Sequence, residues 1–86
     1  FIATANNKIV DDSYPYHISH VWAQPYRQQR ILEILNSKDT FTVEDMKELQ
    51  MDIKNLQAEE FVPIFLEQLS KQTLNEQEQE AVALLK

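Results

Sequence analysis

A mainly α fold is expected: a short N-terminal extended segment and loop followed by three to four helices. Two observations predict the helices. Apolar residues recur at helical spacing from Tyr26 onward, and two capping signatures, Thr42 to Asp45 and Asn75 to Glu78, stand just before such runs. A third predicts the start: residues 1 to 6, Phe-Ile-Ala-Thr-Ala-Asn, carry no charged side chain and suit a brief strand or extended piece covered by a larger body.

Taken in order, Asn6-Asn7 and Asp11-Asp12-Ser13-Tyr14-Pro15 supply turn chemistry, with Pro15 keeping Tyr14 out of the helical region. Pro25 suits a first helical turn, and Tyr26, Arg30, Ile31, Ile34 and Leu35 follow on one face, so a helix is expected over 25 to 37. Thr42 with Asp45 forms a short capping box, Phe41 and Met46 suit a hydrophobic staple, and Met46, Leu49, Ile53 and Leu56 extend the stripe. Phe61, Val62, Phe65, Leu66 and Leu69 share a face, but Pro63 belongs in a first turn or at a kink, so a break is expected near 57 to 62. Asn75 with Glu78 opens a last helix over 75 to 86, with Glu76 to Glu80 as its solvated face. This divides the chain into a segment and loop over 1–24 and a helical, partial domain over 25–86.

Composition excludes much. With no Gly and no Cys in 86 residues, P-loops, dinucleotide fingerprints, EF-hand loops, disulfide frameworks and thiolate nucleophiles are all absent. A net charge of -6 opposes a nucleic-acid backbone and disfavours a helix-turn-helix regulator. No apolar run approaches the roughly 20 residues of a membrane helix. The chain opens on Phe1 and stops mid-pattern at Leu84-Leu85-Lys86, as an excised segment of a longer protein would.

Individual motifs read two ways. His17 and His20 on a helix would share a face, yet no third ligand stands at helical spacing, so packing or surface roles are the default and no metal site is assigned. Tyr14, Tyr16, Trp22 and Tyr26 either line an apolar pocket or pack their loop. Arg27 and Arg30 are either carboxylate anchors or helix-surface residues. The serines lack a nucleophile elbow.

Four blocks in order, Ile2-Ala3-Thr4-Ala5-Asn6-Asn7, Tyr14-Pro15-Tyr16, Trp22-Ala23-Gln24-Pro25-Tyr26-Arg27 with Arg30-Ile31, and Thr42-Val43-Glu44-Asp45-Met46 with Leu49-Gln50-Met51-Asp52, resemble the penicillin acylase (penicillin amidase) family over about residues 1 to 70. The resemblance implies a fragment of the β subunit of a larger αββα enzyme of the N-terminal nucleophile hydrolases. It implies amide hydrolysis by a serine that becomes the first residue of that subunit after self-cleavage, with its own α-amino group as base.

On this resemblance Asn6 is the catalytic oxyanion-hole donor and Arg27 the catalytic positioning residue, with Arg30 a helix-face residue. A turn asparagine describes Asn7. Where a family member binds calcium, an Asp after the Tyr-Pro element helps hold it; here Tyr16-His17-Ile18 has no carboxylate, and the segment does not support the ion. The implied partners are a small N-acyl substrate, a β-lactam antibiotic or an N-acyl homoserine lactone, and the remainder of the α and β subunits, with no nucleic acid and no membrane. The parent is expected to be periplasmic or extracellular. Residue 1 is Phe, so the segment does not bring the nucleophile and is expected to be inactive alone. The alternative is a free-standing acidic helical interaction module using the Met46, Leu49, Ile53 and Leu56 stripe.

Overall fold

The computed structural model describes residues 1–86. It is mainly helical, with four helices in chain order: α1 (Tyr26–Leu35), α2 (Val43–Gln50), α3 (Leu56–Leu69) and α4 (Glu76–Leu85). By contacts the chain falls into two units, residues 1–56 and residues 57–86.

The first unit begins with an irregular segment. The strand considered for residues 1 to 6 does not form; the single β-type pairing is an isolated parallel bridge between Asn7 and Ala23, where the Ala23 N–H donates to the Asn6 carbonyl at 2.7 Å. That bridge closes residues 8 to 22 into a loop on a narrow neck. Pro25 stands just before α1 in helical backbone geometry, and its carbonyl accepts the Gln29 N–H at 2.9 Å. The missing proline N–H thus costs no bond. At the other end of α1, Ser37 donates through both its N–H and its hydroxyl to the Ile34 carbonyl, satisfying an acceptor the helix leaves open.

α2 starts where its sequence predicts. Thr42 accepts the Asp45 N–H and the Asp45 carboxylate accepts the Thr42 N–H, a reciprocal capping box. Such a cap is worth about 1 kcal/mol. Ile34, Phe41 and Leu49 line a hollow of about 270 Å³ between α1 and α2. Two ion pairs line it as well: Lys38 reaches Asp45 at 2.8 Å, and Arg30 grips Asp52 through two bonds, Nε to Oδ2 at 2.9 Å and Nη2 to Oδ1 at 2.8 Å.

The stripe of Met46, Leu49, Ile53 and Leu56 is not continuous. The helix ends at Gln50, the Asp52 N–H turns back to the Leu49 carbonyl, and Ile53 is 95% exposed. The Asp52 carboxylate is held by Arg30 from α1; this couples the chain after α2 to the first helix.

The break expected near 57 to 62 accordingly lies upstream, at residues 51 to 55, and α3 runs through Pro63 without interruption. The ring forfeits one backbone bond. Residues of high helix propensity on both sides, Leu56, Gln57, Ala58, Glu59 and Glu60 before it and Leu66, Glu67, Gln68 and Leu69 after, offset that loss. Phe61 and Phe65, one turn apart in α3, have ring centroids 6.2 Å apart in near-parallel stacking.

In the second unit α4 opens with the Asn75–Glu78 capping box, both bonds being 2.8 Å long. Glu76 to Glu80 are solvent-exposed, as expected for its polar face.

Burial is sparse. Ala5, 8% exposed, is the one buried residue, while sixteen large hydrophobics are exposed. Apolar cover within each of the two units is therefore partial.

The capping contacts make a pH prediction. Lys38 and the Thr42 N–H hold the Asp45 carboxyl at about 2, below its ordinary 3.8. A carboxyl depressed in the folded state stabilises fully above its unfolded value and loses that contribution as pH falls through the folded one. The Lys38–Asp45–Thr42 junction should therefore loosen only between about pH 4 and pH 2. Titration of the Asp45 side-chain carbon by NMR should give a midpoint near 2; a midpoint at the ordinary carboxylate value means that the junction does not form in solution.

Candidate active site

The neck of the loop brings together the residues the sequence reading selected. Asn6 has φ 61°, the one left-handed backbone conformation in the chain. In a sequence without glycine this conformation falls to asparagine, whose short polar side chain tolerates it best among the other residues. The strain is of order 1 kcal/mol, and it persists where neighbours fix the backbone on both sides. Here they do: the Asn6 carbonyl accepts the Ala23 N–H, the Ala5 carbonyl accepts Arg27 Nη2 at 2.9 Å, and the Ala5 N–H donates to Asn7 Oδ1 at 2.9 Å.

Arg27, in the first turn of α1, makes a second bond from the same nitrogen, Nη2 to Asn6 Oδ1, also 2.9 Å. A guanidinium only donates, so this contact fixes which way the carboxamide lies. Oδ1 faces Arg27, and the Nδ2 group is left as a donor directed elsewhere. The side chains of Asn6 and Arg27 are both solvent-exposed. The arrangement is a neutral N–H₂ donor on a braced backbone, with a permanent positive charge on its far side. It suits a place where negative charge develops on an oxygen.

The other candidates lie outside this constellation. Arg30 is more than a helix-face residue: its fork is filled by Asp52, with Glu33 at 3.0 Å from Nη1, so it is no anchor for a ligand carboxylate. These two acids raise its pKa above the ordinary arginine value, and Arg30 in turn lowers that of Asp52. His17 and His20 lie in irregular chain with ring centroids 4.4 Å apart, and no group of three or more possible metal ligands gathers anywhere. Asp11 and Asp12, the acids nearest the Tyr-Pro element, are engaged by Ser13 and Lys8 respectively. Tyr14 and Tyr16 meet edge to face at 6.0 Å and, with Trp22 and His17, line an open hollow of about 230 Å³ on the loop. Both tyrosines remain exposed.

The sequence reading missed the part of Asn7. Its signal was the doubling of asparagine in a glycine-free chain, where one residue must take the left-handed turn and the next can bond the backbone two residues back.

Comparison with known proteins places the sequence in a family. Over 51 residues, 59% of the chain, it is 37% identical to a penicillin acylase 2 proenzyme of Pseudomonas sp. (strain SE83). The match spans 7% of the length of that curated relative. No solved structure matches the chain. The model of the penicillin amidase family matches residues 1–86, the whole of the sequence described here, and the chain accordingly belongs to the penicillin amidase family.

Proposed function

We propose that this chain forms part of a penicillin acylase-like amidohydrolase, in which Asn6 donates into the oxyanion hole and Arg27 orients it. The observation that carries the reading is the Arg27 Nη2 to Asn6 Oδ1 bond at 2.9 Å. The guanidinium draws electron density from the carboxamide oxygen, which makes the Nδ2–H a stronger donor through a charged hydrogen-bond chain. As a nucleophile attacks an amide carbonyl, charge moves onto the carbonyl oxygen; a donor already braced for that position stabilises the transition state more than the ground state. The nucleophile, a serine freed as an N-terminus, is proposed to come from the remainder of the protein, in keeping with a relative named as a proenzyme. The substrate class is an N-acyl compound, either a β-lactam antibiotic or an N-acyl homoserine lactone.

The sparsely buried surface, with Ala5 as its one buried residue, speaks against a free-standing interaction module. So does family membership along residues 1–86. The test is direct: the full-length protein, incubated with a penicillin and with an N-acyl homoserine lactone, should release free amine from at least one of them, and the isolated 86-residue chain from neither. Absence of amine release from both by a correctly processed enzyme would overturn the reading.

A further inference from the structure

We infer that Asn7 is a second positioning residue of the oxyanion site, acting through the backbone of Asn6 and never on substrate. This rests on the reading of Asn6 given above. The Asn7 side chain turns back, Oδ1 accepting the Ala5 N–H at 2.9 Å and Nδ2 donating to the Lys8 carbonyl at 3.2 Å. It thereby spans the left-handed residue from both sides. The Ala5 peptide is also gripped from its carbonyl end by Arg27, and the Asn6 carbonyl by Ala23.

The backbone at Asn6 sits in a conformation that non-glycine residues leave readily. Asn7 Oδ1 satisfies the Ala5 N–H only while the intervening turn is closed. If the turn relaxes into extended backbone, the Asn6 side chain swings off the Arg27 contact and Nδ2 loses its direction. Of the two bonds made by Asn7, the accepting one holds Ala5 and so carries the effect. The donating one only ties the side chain to its own neighbour.

The two roles separate by substitution. In the full-length enzyme, Asn7→Ala removes both bonds, whereas Asn7→Asp keeps the acceptor and loses the donor. Displacing a catalytic group by about 1 Å can cost up to a hundredfold. Asn7→Ala should therefore lower kcat by about tenfold to a hundredfold at little-changed KM, with Asn7→Asp recovering most of the loss. In an Asn6→Ala background, Asn7→Ala should add nothing, because the group it positions is gone.

Wild-type kcat in Asn7→Ala, or a full multiplicative loss in the double variant, would overturn the role of Asn7 while leaving that of Asn6 intact. If Asn6→Ala itself turns over normally, the underlying reading fails instead. Should Asn7→Ala mature poorly, Asn7→Asp against Asn7→Ser, which shortens the acceptor arm, carries the same comparison, with Asp expected to be the more active.

Discussion

On the proposed function, Asn6→Ala in the full-length protein should lower kcat by about a hundredfold or more with KM nearly unchanged, since loss of one oxyanion donor has that size and acts on the transition state alone. The structure sharpens the comparison with Asn6→Asp. An aspartate keeps the left-handed backbone and would still meet Arg27 through one oxygen, yet it turns a second oxygen toward the position where Nδ2 now lies. It exchanges a donor for an acceptor bearing like charge to the oxyanion. Asn6→Asp should therefore be at least as inactive as Asn6→Ala while matching wild-type protein in its thermal midpoint. Near-normal turnover by either variant removes Asn6 from the chemistry.

Arg27→Ala is the second large effect. The side chain makes two contacts from one nitrogen, to the Ala5 carbonyl and to Asn6 Oδ1, so its removal frees both the adjoining backbone and the side chain of Asn6. On the proposed roles Arg27 acts through Asn6, so its loss is bounded by the loss of Asn6 itself, and kcat should fall by about tenfold to a hundredfold. Arg27→Lys should recover little, since a flexible point charge does not reproduce the fixed donor plane. Free guanidinium ion at millimolar concentration should restore part of the rate to Arg27→Ala and none to Asn6→Ala. Equal rescue of both would mean that the ion acts elsewhere and that Arg27 has no directing role.

The helices were legible in the sequence because their signals are local. Thr42 with Asp45 and Asn75 with Glu78 name their own partners three residues on, and both boxes form. What was misread at the end of α2 depends on a distant residue. The end of α2 accompanies an ion pair between Arg30 and Asp52, residues 22 positions apart, which no periodicity reports. The uninterrupted course of α3 through Pro63 reflects flanking propensity outweighing one lost bond.

Asn6 and Arg27 came from a resemblance in ordered blocks. Their contact, across 21 residues, needed the neck formed by Asn7 and Ala23 to become visible. The left-handed turn at Asn6 was not foreseen either, because a doubled asparagine signals a turn without saying which residue of the pair carries the positive φ.

The neck also bears on tolerance to change in the loop. Residues 8 to 22 leave and return through a bridge that is closed by main-chain and side-chain bonds at residues 5, 6, 7, 23 and 27, so the Asn6–Arg27 contact at the base is held by bonds that do not involve the tip of the loop. Doubling the length of such a loop adds only about 0.6 kcal/mol of closure cost. Changes of length or of aromatic side chain in the excursion around Tyr14 and Tyr16 should thus leave the Arg27 to Asn6 bond at the base in place.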